Sequence, residues 1–308
     1  MTLAIRTEQL SKRYGSAVAL DALDLEVEQG EAFGFLGPNG AGKSTTLGLL
    51  LGFLRPTSGR AEVFGLDVRA DAATVHSRLA YVPAGADLWP SMTGAEVLRF
   101  LADLHGSVDE GYRDELVARF ELSVDKKQRA LSHGNRQKVL LVAAFATRAD
   151  LLLLDEPTTG LDPLMEQVFQ ACVAEARERG QTVFLCSHIL SEVDAVCDRV
   201  AMLRAGRLIE VGELGTLHGL AAVRVEASLR RAAPDLAGVT GVDHLRVDDD
   251  GRTVRCDVTG SMEPLLAALA TAGVERLTTH EPSLEELFVA RYGDGGPAAG
   301  AVVPPAHS

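Results

Sequence analysis

No apolar run in this chain approaches the roughly 18 residues a helix needs to cross a bilayer. Any membrane role would therefore have to come from a partner. The opening Met1-Thr2-Leu3-Ala4-Ile5-Arg6 lacks a signal peptide's apolar region, and the expectation is a cytoplasmic chain. Cysteine is scarce and scattered: Cys172, Cys186, Cys197 and Cys256 form no Cys-x-x-Cys pair. That spacing excludes a thiolate metal site and a disulfide framework, and predicts reduced thiols in the core. Basic charge is also short, with 30 Lys and Arg against 43 Asp and Glu and a net charge of −13. A nucleic-acid surface would show a basic stripe, so no nucleic-acid partner is expected. Lysine is rare within that basic set: only Lys12, Lys43, Lys126, Lys127 and Lys138 are not arginine. Apolar residues are plentiful at 46% of 308, enough for one large domain and a smaller one.

The chain is organised around Gly37-Pro38-Asn39-Gly40-Ala41-Gly42-Lys43-Ser44-Thr45. Gly, four residues, Gly-Lys and then Ser or Thr is the pattern of a phosphate-cradling loop. Ala32 to Leu36 predicts a buried strand entering the loop, and Leu47, Leu49, Leu50 and Leu51 predict a helix leaving it. Glycines let the backbone curl until its N–H groups point at an anion, and the helix N-terminus adds its dipole. Lys43 would reach the β- and γ-phosphates, and the Ser44 hydroxyl would ligate Mg²⁺. A nucleoside triphosphate is the implied ligand.

Further chemistry follows in order. Leu23, Leu25 and Val27 alternate with acidic residues as in a half-exposed antiparallel strand. Tyr14 in the adjoining turn suits either stacking on adenine or packing at a strand edge. Arg60 to Phe64 reads as another strand. Thr93-Gly94-Ala95-Glu96 predicts a capping box, and helical spacings after it predict an insert over about 91–147. Trp89, the only tryptophan, is expected as a buried anchor, with a docking surface as the alternative. Ser132 and Gly134 stand at the start of a helix, suited to capping or to an anion. Leu151 to Leu154 predicts a parallel strand buried on both faces. At its end, Asp155 is the Mg²⁺ partner of Ser44 and Glu156 is placed to orient or deprotonate water. Asp162 and Pro163 cap the next helix. His188, at the end of the strand Thr182 to Cys186, lies on the same edge and suits a γ-phosphate contact.

Taken together, these segments resemble the nucleotide-binding subunit of ABC transporters over roughly residues 3–213. The resemblance implies an α/β P-loop NTPase, an ABC ATPase with an antiparallel β subdomain and a helical subdomain. It implies that Tyr14, Gly37, Asn39, Gly40, Gly42, Lys43, Ser44 and Thr45 bind ATP. Glu156, His188 and Lys43 would serve catalysis, and Ser44 and Asp155 would hold Mg²⁺. Such cassettes form head-to-tail homodimers, so Ser132 and Gly134 would serve the partner's ATP, and Asp162, in the family's D-loop, would be a further nucleotide-binding residue. The implied partner is an integral membrane permease, which would hold the chain against the inner face of the cell membrane. Two departures stand out. Ala84 occupies the place of the family's usual glutamine, and His133 and Asn135 alter the signature, variation similar to that of the daunorubicin-resistance-like branch of bacterial exporters.

Composition shifts near Leu214, giving predicted domains over 1–213 and 214–292. In the second, strands over 223–227 and 276–279, a helix over 229–236, a hairpin with an Asp-Gly turn over 244–258 and a helix over 262–272 are predicted. That order suggests a small α+β, ferredoxin-like unit, closed by a helix over 282–292. A Gly/Pro/Ala-rich tail over 293–308 is expected to be disordered. The function expected is an ATPase energising a separate permease for export of a drug, antibiotic or lipid-like substrate. A soluble regulator of ribosomes or DNA fits less well, because one phosphate loop, no coiled coil and an acidic balance are present. A P-loop kinase leaves Ser132 to Gly134 without a role.

Overall fold

The computed structural model describes residues 2–85, 88–106, 108–214 and 223–280. The chain forms two compact units, Met1–Gly212 and Glu213–Ser308.

In the first unit, β1 (Leu3–Tyr14) and β2 (Ala17–Glu28) pair antiparallel from Leu3↔Glu28 to Tyr14↔Ala17. Leu23, Leu25 and Val27 are buried while Asp24 and Glu26 are exposed, so one face packs and the other is wet. β4 (Ser58–Val63) and β5 (Leu66–Asp67) complete a four-stranded sheet of order β2-β1-β4-β5.

The second sheet carries the chemistry. Its order is β10-β9-β3-β8-β7-β6, built from β3 (Ala32–Leu36), β6 (Leu79–Val82), β7 (Leu151–Asp155), β8 (Thr182–Ser187), β9 (Arg199–Arg204) and β10 (Arg207–Glu213). From β9 through to β6 every neighbouring pair is parallel. Every residue of β3, β7 and β8 is buried, as a parallel sheet covered on both faces requires. Phe33 and Phe35 pack on Phe184 at 5.9 and 5.3 Å between ring centroids. One core joins these rings to Ile5 and Leu23 of the antiparallel sheet and to Leu47 and Leu50 of α1 (Lys43–Leu50). Each fully buried side chain of this kind stabilises the fold by roughly 1.5–3 kcal/mol.

The short α2 (Ala72–His76) precedes β6, and the insert follows it as α3 (Gly94–His105), α4 (Glu110–Arg119) and α5 (His133–Ala146). The capping box forms: Thr93 Oγ1 accepts from the Glu96 N–H at 3.2 Å, and Glu96 Oε2 accepts from the Thr93 N–H at 2.7 Å. α6 (Pro163–Glu178) starts at Asp162, whose carboxylate accepts from the Leu164 and Met165 N–H groups. α7 (Leu190–Asp194) follows β8. The insert is tied to α6 by Glu175, which accepts from the Tyr112 hydroxyl and pairs with Arg119 Nη1, both at 2.8 Å. Burial pushes the Glu175 carboxyl up, but these two donors outweigh it and hold it below its usual range.

The second unit is a four-stranded antiparallel sheet of order β12-β13-β11-β14. Its elements are β11 (Val223–Leu229), β12 (Val242–Val247), β13 (Thr253–Val258), α8 (Glu263–Ala270) and β14 (Val274–His280). Val225, Ala227, Val254 and Cys256 pack on Leu265 and Leu269 as a core of their own. The hairpin closes through its Asp-Gly turn, where Gly251 takes φ 66° and donates to Asp248 O. The helix expected over 229–236 is absent. Leu229 ends β11, and the Arg230, Arg231 and Ala233 N–H groups donate to Gly273, Ala272 and Gly251 carbonyls. Tertiary partners have taken those donors, and Pro234 further disfavours a helix. The order is therefore βββαβ. The helix expected over 282–292 and the tail over 293–308 lie outside the described residues.

Candidate functional site

Four adjacent parallel strands, β3, β8, β7 and β6, deliver their C-terminal ends to one edge of the sheet. That edge is where doubly wound folds place ligands. From β3 the chain turns through Gly37, where a Cβ would meet Leu203 O at 2.4 Å, to Gly42 at φ 115°. Only glycine fits both positions. Gly42 is the N-cap of α1 and no side chain caps that helix, so its first-turn N–H groups remain for an anion. Lys43 Nζ donates to Gly37 O at 2.6 Å, which folds the side chain back over its own loop.

The acidic pair comes from β7. Ser44 Oγ donates to Asp155 Oδ2 at 3.3 Å, while Asp155 Oδ1 is buried with no hydrogen-bond partner. Burial pushes the Asp155 carboxyl up, and the neighbouring Glu156 pushes it further; Ser44 and Lys43 offset only part of this. Glu156 sits at φ 48°, a left-handed conformation costing a non-glycine residue roughly 1–2 kcal/mol, held by its N–H bond to Cys186 O at 2.9 Å. Its carboxylate lies 3.5 Å from Lys43 Nζ through Oε1 and 2.5 Å from His188 Nδ1 through Oε2. Base, cation and imidazole thus form one chain of contacts just beyond the ends of β3, β7 and β8.

These groups surround a cavity of about 540 Å³. Among the predicted residues, Asn39, Gly40, Gly42, Lys43, Ser44, Thr45, Glu156 and His188 line it. Gly37 and Asp155 stand behind that lining through Lys43 and Ser44. Ala84 lines it as well, presenting a methyl at the place of the family's usual glutamine. Four predicted residues lie elsewhere. Tyr14 is exposed, with Lys12 Nζ 4.9 Å from its ring centre. Ser132 Oγ caps α5 by accepting from the Asn135 N–H, and Asp162 caps α6. Gly134 is buried against the loop after β7, where a Cβ would meet Gly160 O at 2.0 Å, so close packing of backbones explains that glycine. Sequence reasoning did not place Ala19, Gly85, His133 and Thr159 in the lining; His133 was visible only as an oddity of pattern. Trp89 is 45% exposed and meets Phe100 edge-on at 4.9 Å, so it is not the buried anchor expected.

The family model described as ABC transporter matches residues 20–159, from β2 through the acidic strand end and the loop after it. The chain is 38% identical over 307 residues to the daunorubicin resistance ATP-binding protein DrrA3 of Streptomyces coeruleorubidus, covering 94% of this chain and 96% of that protein. The chain belongs to the ABC transporter family. A second relative within this family, the bacitracin transport ATP-binding protein BcrA of Bacillus licheniformis, is 32% identical over 96% of this chain and 99% of its own. A solved ATP-binding subunit of an ABC transporter is 30% identical, covers 70% of this chain and 92% of its own, and superposes with a TM-score of 0.66. As an ABC ATPase the chain binds and hydrolyses ATP, and it energises a membrane permease. Among the described residues no helix is long and apolar enough to cross a membrane.

Proposed function

We propose that this ABC subunit works as a head-to-tail homodimer on the inner face of the cell membrane, exporting an antibiotic-like or lipid-like molecule through its permease. The observation that carries the catalytic part is the cluster at the sheet edge. Lys43 and His188 each contact Glu156 beside a cavity that opens on a helix N-terminus.

Lys43 is placed for the β- and γ-phosphates, and the loop N–H groups of Asn39 to Thr45 surround them. Glu156 orients an attacking water and takes its proton, while His188 fixes the carboxylate's position. The rate gain then comes mainly from positioning and charge stabilisation. The partnerless, buried Asp155 Oδ1 beside Ser44 is the donor set that suits Mg²⁺, a hard cation that takes oxygen ligands and shares phosphate oxygens. When bound there, the ion would neutralise charge on the phosphates.

In the dimer, Ser132 and Gly134 serve the partner's nucleotide, Asp162 is a further nucleotide-binding residue, and Tyr14 stacks on adenine. Exposed Trp89 belongs to the face offered to the permease. The export assignment draws on the relatives, named for daunorubicin resistance and bacitracin transport.

Affinity purification from detergent-solubilised native membranes, followed by mass spectrometry, tests the assembly. A stoichiometric polytopic membrane protein is the expected companion. Recovery of soluble partners alone, with ATPase activity intact, would sink the transporter assignment.

A further inference from the structure

We propose that Glu192 is a positioning residue for hydrolysis: it ties the loop after Glu156 to the end of β8 and so holds Glu156 against His188. The inference rests on the reading of Glu156 as the base and deepens it. Glu192 lies on α7, four residues beyond His188, and is not part of the cavity lining. Its two carboxylate oxygens are divided between two strand ends. Oε1 accepts from the hydroxyl of Thr158, in the loop after β7, and Oε2 accepts from the hydroxyl of Ser187, the last residue of β8, at 2.7 Å. Both hydroxyl-bearing residues are buried, so each depends on a protein partner for its hydrogen bond. Ser187 Oγ in turn accepts from the Ile189 N–H at 2.9 Å, which brackets His188 from both sides.

The need for such a tie comes from Glu156. A left-handed φ of 48° persists only where the surroundings over-determine it. The backbone supplies one link, from the Glu156 N–H to Cys186 O at 2.9 Å, but that bond fixes only the start of the loop. Glu192 grips the loop two residues further on and joins it to the residue directly before His188. The contact between Glu156 Oε2 and His188 Nδ1 is thus spanned by main chain on one side and by a carboxylate on the other. Hydrogen bonds to a charged acceptor are among the strong ones, so the second span is a firm one. The helix that carries Glu192 is itself seated on β3. Val193 is fully buried, and its Cγ1 lies 2.2 Å from where a Cβ on Gly34 would be, filling the space that this glycine leaves. Because Glu192 meets neither the phosphate loop nor the cavity, its loss should leave ATP binding in place and misplace the groups that activate water.

The test is steady-state ATP hydrolysis by the full-length chain with Mg²⁺, alongside ATP affinity from titration calorimetry. Glu192→Ala should lower kcat about thirtyfold while KM and ATP affinity stay within about twofold, since a small misplacement at a distance from the chemistry costs up to about a hundredfold. Glu192→Gln keeps one acceptor oxygen and gains an amide that donates to the Thr158 hydroxyl, so it should recover most of the rate. Thr158→Val drops the hydroxyl and should reproduce part of the loss. The double variant of Thr158→Val with Glu192→Ala should be no slower than Glu192→Ala alone, as two groups acting through one contact require. Should Glu192→Ala fail to fold, Glu192→Gln and Thr158→Val carry the same comparison. An unchanged kcat, a loss confined to KM, or losses that multiply in the double variant would overturn the role of Glu192. Full turnover in Glu156→Gln would instead remove the reading of the base beneath it.

Discussion

Asp155 shows how a single side chain trades stability for chemistry. Its folded pKa is raised, so the folded protein holds the proton more tightly than the unfolded chain does. Stability of the nucleotide-free protein should therefore fall as pH climbs from about 4, the ordinary carboxylate range, through the raised value, and stay reduced above it. Asp155→Asn removes the ionised form. At pH 7 the variant should melt about 2–4 °C higher by calorimetry, the shift roughly 1 kcal/mol produces in a domain of this size, with the gain vanishing below about pH 4. ATPase activity should be lost with it. A variant that melts lower at neutral pH would show that the buried carboxylate is better compensated than its partnerless oxygen indicates. Glu156→Gln addresses the neighbouring residue, since the amide keeps the shape and loses the base. That variant should accumulate with ATP bound, as an enlarged species in gel filtration, and hydrolyse it hardly at all. Rapid turnover would take the base role away from Glu156.

Among elements, the contact between α4 and α6 is one that a mutation can loosen without touching the cavity. Glu175 joins Tyr112 and Arg119, and Arg179 lies over the Tyr112 ring at 4.7 Å. Tyr112→Phe and Glu175→Gln should each cost about 1 kcal/mol in urea unfolding, a charge-assisted bond discounted for partial solvent screening. Because the Glu175 pKa is lowered, its contribution should be present above pH 4.5 and fade as pH falls through the lowered value. Midpoints for Glu175→Gln equal to wild type at pH 7 would remove Glu175 as a tie. Elements also separate what the sequence displayed from what it concealed. The loop after β3, the acidic end of β7 and His188 were readable because phosphate chemistry demands fixed residue types at strand ends. The helix drawn over 229–236 failed because distant carbonyls claimed its N–H groups. Gly134 reads in the sequence as a phosphate contact; the approach of Gly160 also requires a glycine there, and no local pattern reports a neighbour 26 positions away. His133 and Trp89 were visible as unusual residues, but whether a side chain ends in a cavity or in solvent is decided by packing.

For the molecule as a whole, each unit has its own buried cluster: Phe35, Leu153 and Phe184 in the first, Val225, Val254 and Leu265 in the second. A fragment of residues 1–212 should melt cooperatively and bind ATP within about threefold of the full chain, because every cavity residue lies inside it. An insoluble fragment, or one without nucleotide affinity, would show that the second unit supports the first. The contact between Gly134 and Gly160 bears on motion within that first unit. It is made by main chain on both sides, and main chain has no rotamers with which to absorb a displacement. Any displacement of the loop behind Glu156 would therefore be felt at the foot of α5. The two loops are meshed like a toothed joint, leaving no slack between the sheet edge and the helical insert.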